Sequence, residues 1–294
     1  MKTSTKKICK VLIFSDLLIT IAEFSKTKNL LLTTIILLLM FTGIMTTAMA
    51  QEAKTAGNQA TTADEAAIQA NNPLASIKTF NLHNYYVPNL SGMPDATSNT
   101  FWFRYAQPIG RFLVRASLPL STVPMSGETN KAGLGDLNAF ATYLAIKNAK
   151  TTLGIGPLLA FPTASNAALG SGKWQAGLAL IAFQVVSPQF QTGGLITWQM
   201  SYAGNADREQ TNLMAVQIFG MWQLGGGTYL RSSGIMQFNL ENGYYNVPFG
   251  LGLGKVLKTD KLIFNLFAEP QFTVLHYGDG QPQLQFFFGI NTQF

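Results

Sequence analysis

From Gln281 onward the chain reads QPQLQFFFGINTQF, polar and apolar residues alternating almost without a break to Phe294. In an extended strand this places Leu284, Phe286, Phe288, Ile290 and Phe294 on one face and Gln283, Gln285, Asn291 and Gln293 on the other. One face suits lipid and the other suits water. A soluble antiparallel strand can alternate in the same way, but it does not usually finish on clustered phenylalanines. A strand in a bilayer must pair on both edges, so this pattern implies a closed barrel. The strand is expected to close that barrel against the first strand near Ile77 to Pro88. Its ending, with Phe286, Phe288, Ile290 and Phe294, resembles the signal that barrel-assembly machinery recognises.

The start of the chain is consistent with export. Asn29 to Ala50 form an apolar run that follows Lys26 and Lys28 and closes on Ala48, Met49 and Ala50, an A-x-A site before Gln51. Residues 1–50 are therefore expected to be a signal peptide with a long N-terminal extension. No basic stop-transfer cluster follows, which argues against an anchor, and Gln51 is not the cysteine of a lipoprotein. Of the 20 Lys+Arg and 14 Asp+Glu, six basic and two acidic residues precede Gln51, leaving 14 basic against 12 acidic and a net charge of +2. The basic isoelectric point thus gives no reason to expect a nucleic-acid partner. The sole cysteine, Cys9, leaves with the leader, so the mature chain has no disulfide framework and no thiol nucleophile.

Gln51 to Asn72 is rich in Ala, Thr, Gln and Asn, and residues 51–76 are expected to form a flexible or partly helical periplasmic lead-in. After the leader no apolar run is long enough for a helical span, and period two takes over. Only 12% of the residues are charged, where about a quarter is usual for a soluble domain, and lipid contact explains the deficit. Residues 77–294 divide into twelve expected strands, at 77–88, 99–107, 110–121, 133–147, 151–162, 172–187, 190–203, 210–224, 227–240, 244–257, 261–276 and 281–294. Short links recur at Pro108 to Gly110, Asn148 to Lys150, Pro188, Gly225 to Gly227 and Thr259 to Asp260. They alternate with longer ones at Val123 to Ala132, Ala164 to Ser171 and Gly204 to Glu209. Short periplasmic turns and longer external loops are the habit of outer-membrane barrels, which puts both termini in the periplasm. The fold class is all-β, a transmembrane antiparallel up-and-down barrel. Aromatics near strand ends, among them Trp174, Tyr202, Trp222, Tyr244 and Tyr245, suit interfacial girdles.

Charges within strands must face the lumen or the membrane rim, because a lipid-facing arginine at mid-depth costs about 2–4 kcal/mol. Arg104, Arg115, Asp136, Arg231 and Glu269 are the candidates for an electrostatic constriction that selects solutes, or for a salt-bridge network that packs the interior. The glycine rows Gly154 and Gly156, and Gly250, Gly252 and Gly254, leave room in the lumen or relieve crowding. Only His83 and His276 are available for acid–base or metal chemistry, and no G-x-S-x-G or H-E-x-x-H pattern is present. Interfacial packing is the expected role of both, with no metal and no cofactor.

The segments SLPLSTVP (Ser117 to Pro124), GLGDLNAFATYL (Gly133 to Leu144), GIGPLLAFPTASNAALGSGKWQAG (Gly154 to Gly177) and VPFGLGLGKVLK (Val247 to Lys258) carry a family likeness. From about Phe101 to Phe294 the chain resembles the MetA-pathway of phenol degradation family of outer-membrane proteins, some members of which bear the label neuromedin U. Pro162 to Trp174 is the most specific part, whereas the GINTQF ending extends past the family pattern. The resemblance implies a barrel that transports small solutes, including aromatic or hydrophobic ones. It supplies no ligand residues, so Thr163, Ser165, Asn166 and Lys173 are marked only as a candidate external loop, for recognition or for structure. The sequence therefore leads to a passive channel embedded in outer-membrane lipid. A closed structural or ligand-binding barrel is the alternative, and a membrane-embedded hydrolase the third reading. Its oligomeric state is open.

Overall fold

The computed structural model describes residues 68, 70–72, 77–93, 95–125 and 128–294, so the expected leader and most of the lead-in lie outside the described residues. The strands are β1 (Thr79–Leu90), β2 (Ser98–Ile109), β3 (Phe112–Met125), β4 (Glu128–Leu134), β5 (Leu137–Lys147), β6 (Thr151–Phe161), β7 (Lys173–Val185) and β8 (Phe190–Gly204). There follow β9 (Asn212–Gly225), β10 (Thr228–Ser232), β11 (Ile235–Asn239), β12 (Tyr245–Gly250), β13 (Gly252–Lys258), β14 (Ile263–Tyr277) and β15 (Pro282–Gln293). Three staves are each interrupted once, as β4 with β5, β10 with β11, and β12 with β13. The 15 segments therefore make twelve antiparallel staves, as the alternation and parity of the sequence require. β1 pairs with β15 from Thr79↔Gln293 to Leu90↔Pro282, which closes the sheet on itself and removes its edges.

Side-chain parity follows the pleat. On β14, Phe264, Leu266, Phe272 and Val274 point outward, while Asn265, Phe267, Glu269 and Gln271 are buried inside. On β15, Phe288 and Ile290 are exposed on the outer wall and Phe287 is buried in the lumen. Exposed Phe103, Tyr105, Leu178, Leu253 and Phe272 belong to an outward apolar surface that only lipid would satisfy. Among the described residues no helix is long and apolar enough to cross a membrane.

The connections sort by end. Residues 110–111, 148–150, 186–189, 226–227 and 259–262 turn the chain at one end, and the tightest of these needs glycine, with Gly226 and Gly227 at φ of +59° and +78°. Residues 91–97, 162–172, 205–211, 240–244 and 278–281 join strands at the other end. One expected loop there is corrected: Val123 to Ala132 is a hairpin, with Val123↔Lys131 and Met125↔Glu128 paired, because the alternation of the third strand continues past Ser121. The outer edge of β4 is covered by the 162–172 loop, Ser165 donating its N–H to Leu134 O at 2.9 Å.

The glycine row on the tenth stave makes way for lumen side chains. A Cβ on Gly254 would lie 2.1 Å from the Tyr229 ring, and one on Gly250 would lie 2.5 Å from Glu269 Oε1. Tyr229 is 0% exposed and donates to Asn265 Oδ1 at 2.5 Å. Relief of crowding is thus the reason for these glycines, an arrangement in which a cross-strand ring covers the bare backbone.

Candidate functional site

Three levels of the lumen can be followed from the turn end to the loop end. At the turn end an apolar collar of Leu113, Leu144, Ile181, Phe183, Phe219, Met221, Tyr229 and Val256 fills the barrel, and Ala70 belongs to the same packed cluster. Above it lies a chamber of about 130 Å³ whose lining includes His83, Tyr85, Arg104, Arg115, Arg231, Phe267 and Phe287. Tyr85 and Arg104 also line a wider vestibule of about 490 Å³ toward the loop end, and so form the waist between the two.

Parity aims these groups inward. Arg104 on β2 shares its face with Thr100, Trp102 and Ala106, while Phe101, Phe103 and Tyr105 are exposed on the other. Arg115 on β3 follows the same rule, one strand away, beside buried Leu113 and Ser117. Arg231 and Glu269 form a buried ion pair at 2.7 Å, and Ser233 closes the cluster by donating its backbone N–H to Glu269 Oε1 at 2.8 Å and its hydroxyl to Oε2 at 2.7 Å. The Arg231 guanidinium also lies 3.5 Å from the centroid of the Phe267 ring.

Among the described residues Arg104 and Arg115 have no carboxylate partner of this kind. Arg104 Nη1 donates to His83 Nδ1 at 2.5 Å, and His83 Nε2 meets Asn291 Oδ1 at 2.7 Å. Because a guanidinium only donates, Nδ1 must accept and Nε2 must carry the proton, which makes His83 a neutral relay between Arg104 and Asn291. Arg115 lies 4.4 Å from the Phe140 ring centroid and Arg104 lies 4.8 Å from that of Trp102. The Nε of each arginine and the Tyr85 hydroxyl are buried without a hydrogen-bond partner among the described residues. Three guanidiniums against one carboxylate leave a positive excess of two around a small cavity walled by Phe267, Phe287 and Tyr85. Such a wall attracts a small anion and offers it unused donors and aromatic faces.

Of the residues singled out in the sequence, Arg104, Arg115 and Arg231 therefore line one chamber, and Glu269 stands behind its wall as the ion-pair partner of Arg231. Asp136 does not join them. It sits between β4 and β5 at the vestibule, accepting from Ala164 N at 3.1 Å, Ser171 N at 2.7 Å and Ser171 Oγ at 2.8 Å. That carboxylate ties down the 162–172 loop. Within the loop Thr163 Oγ1 accepts from Leu137 N at 2.8 Å, and Ser165 Oγ donates to Leu134 O at 3.3 Å. Asn166 caps the short 3₁₀ turn Ala167–Leu169, and Lys173 is buried as the first residue of β7. Leu169 and Ser171 reach the vestibule. The four marked loop residues thus anchor a folded loop rather than converge on a common cavity.

His83, for which the sequence suggests an interfacial place, lies in the lumen instead, because β1 turns its odd positions Asn81, His83 and Tyr85 inward. That parity is available from exposed Phe80 and Leu82, but a lone first strand gives no sign of which partners it will meet. Exposed His276 is at the loop end of β14, opposite Asn246. Among the described residues no group of histidine, cysteine and carboxylate side chains is placed to hold a metal.

The barrel superposes on the COG4313 outer membrane channel from Pseudomonas putida F1 with a TM-score of 0.56 and 16% identity, over 75% of this chain and 97% of that one. The fold is that of a twelve-stranded outer-membrane barrel. Looser superpositions include the NanC porin, with a TM-score of 0.48 and 10% identity over 73% and 98% of the two chains. The Pseudomonas putida toluene transporter TodX follows with a TM-score of 0.41 and 9% identity over 80% and 93%. No family model and no curated protein sequence matches the chain.

Proposed function

We propose that this protein is an outer-membrane channel of a Gram-negative bacterium that passes small organic anions. The observation that carries the reading is the waist at Tyr85 and Arg104, where Arg104 and Arg115 hold buried guanidinium groups with no carboxylate partner among the described residues and with idle Nε donors. A wide vestibule above and cationic, aromatic walls below suit an anion with an apolar or aromatic body, in keeping with the resemblance to the MetA-pathway family. The short turns and both chain termini face the periplasm in this reading, and the loop end faces out. Phe286, Phe288, Ile290 and Phe294 would serve the assembly machinery as the terminal signal.

The test is the reversal potential of the purified protein in planar bilayers under a salt gradient. Anion preference that falls toward neutrality in Arg104→Ala with Arg115→Ala supports the reading. Currents with cation preference in the unmodified protein would remove it. One observation favours the second reading, a closed barrel: the apolar collar with Ala70 inside it fills the turn end of the lumen. A protein that carries no current and admits no solute into liposomes would establish that reading instead.

A further inference from the structure

The two ends of the barrel carry opposite charge. At the turn end Arg111, Lys147, Lys150, Lys258 and Lys261 are exposed, as are Lys78 just before β1 and Lys255 on β13. Among the described residues Asp260 is the one acidic side chain beside them. At the loop end the sign reverses, with Asp95, Asp207, Glu209, Glu241 and Asp279 exposed while Lys131 and Arg208 are half-buried and Lys173 is buried. A cationic rim of this kind draws anions to itself.

Two of the turn-end cations lie on the outer wall rather than in the lumen. On β13 the inward position Gly254 faces the buried Tyr229 ring, so Lys255 takes the outward row between exposed Leu253 and Leu257. Its chain runs toward the turn, where Nζ donates to Gly226 O at 2.8 Å and to Thr228 Oγ1 at 3.0 Å. A lysine in a lipid-facing row places its ammonium this way when the polar interface lies at that level. Arg111 marks the same level on another side of the barrel. Its Nη1 donates to the Tyr143 hydroxyl at 3.1 Å, and the exposed rings of Tyr143 and Phe112 meet beneath it with centroids 5.4 Å apart. Lys255 keeps one ammonium hydrogen free of these bonds, and Arg111 keeps four of its five N–H groups. Those donors stand at the foot of an apolar wall that only lipid covers, so a soluble acidic partner has no access to them. A lipid phosphate does.

We infer that the turn end of the barrel carries a belt, with Arg111, Lys255, Lys258 and Lys261 as its core, that binds the headgroups of anionic glycerophospholipids of the phosphatidylglycerol kind in the periplasmic leaflet. The leaflet follows from the orientation proposed above, and the binding itself needs only the barrel. The phosphate accepts from the guanidinium and ammonium groups while the acyl chains lie along Leu253, Leu257 and Phe112.

The test is electron paramagnetic resonance of spin-labelled lipids around the folded protein in phosphatidylcholine vesicles, which reads the fraction of each lipid held immobile at the protein surface. Spin-labelled phosphatidylglycerol is expected to be held several-fold more strongly than spin-labelled phosphatidylcholine, and added salt should weaken that preference. Arg111→Gln with Lys255→Gln, Lys258→Gln and Lys261→Gln should bring the two lipids to near equality, whereas Lys131→Gln at the other end should change nothing. Equal immobile fractions in the unmodified protein overturn the inference, and so does a preference that survives the four substitutions. A stronger preference for lipid A that vanishes with the same substitutions assigns the belt to the other leaflet and overturns it too. If the fourfold variant does not fold, Lys258→Gln with Lys261→Gln, both in or beside an exposed turn, should lose part of the preference, and an undiminished one overturns the belt. Current through the lumen does not enter this measurement, so its failure leaves the channel reading standing.

Discussion

Glu269 does for Ser233 what a neighbouring strand would do, its Oε1 accepting the Ser233 backbone N–H at 2.8 Å across the gap between β10 and β11. The ladder is broken there, with Arg231↔Gly252 the last pair on one side and Gln237↔Asn246 the first on the other. A side chain can fill that place only because Gly250 and Gly252 leave it space, a Cβ on Gly252 falling 2.6 Å from that of Glu269. The same carboxylate neutralises Arg231 at 2.7 Å. One residue thus repairs the wall and sets how much of the lumen charge remains.

Glu269→Ala is therefore expected to destabilise the folded barrel by about 3–5 kcal/mol, since it leaves Arg231 buried without its partner and Ser233 N–H without an acceptor. Denaturant unfolding of the protein in lipid vesicles measures this. Glu269→Gln, which keeps an acceptor but not the charge, is expected to lose less. An unfolding midpoint unmoved by Glu269→Ala would show that the gap does not depend on this residue.

Gly289 and Phe267 form a second such pair. A Cβ on Gly289 would lie 2.0 Å from Phe267 Cζ, so Gly289→Ala overpacks the wall and is expected to cost about 1–3 kcal/mol. Phe267→Ala in the same chain removes the obstacle, and a double-mutant cycle should return a coupling energy that relieves part of the loss. Simple additivity of the two changes would refute the contact.

The 162–172 loop depends on Arg208. Its Nη2 donates to Ala167 O at 2.7 Å and to Gly170 O at 2.6 Å, while its Nε reaches Ser171 O at 3.3 Å. Arg208→Ala is expected to speed cleavage of this loop by an external protease several-fold and to leave the unfolding midpoint of the barrel unchanged. Lysine cannot serve three carbonyls from one fork, so Arg208→Lys should restore only part of the protection. Equal cleavage rates in all three proteins would mean that Asp136, Thr163 and Ser165 hold the loop without Arg208.

Phe294 is 51% exposed, with its N–H donating to Lys78 O at 3.1 Å. Its ring adds little to the packed interior, so Phe294→Ala is expected to lower the fraction of chains that reach the heat-modifiable folded form in the presence of assembly machinery. The stability of the folded fraction should not change. Equal folded yields would argue that the ring plays no part in recognition.

Alternation makes most of the wall legible in the amino-acid sequence. The outward row Leu262, Phe264, Leu266, Phe272 and Val274 and the inward row Asn265, Glu269, Gln271 and Thr273 can be read from period two, because a pleated strand permits only two directions. Turn residues mark most strand ends, since Gly226 and Gly227 adopt positive φ that other residues resist. The interruption at Ser233 to Gly234 is harder to read, because a Ser-Gly pair suits a turn, a bulge or a break alike and only the pairing of the strands decides which.

What the sequence determined by itself is the closed, twelve-stave barrel and the inward direction of Arg104, Arg115, Arg231 and Glu269, both consequences of local alternation. Only the tertiary structure decided which inward groups meet. It placed His83 between Arg104 and Asn291, parted Asp136 from the arginines, and put Ala70 in the packed cluster that contains Phe219 and Met221. Contacts across a lumen depend on shear and register summed around the whole barrel, and no single strand carries that information.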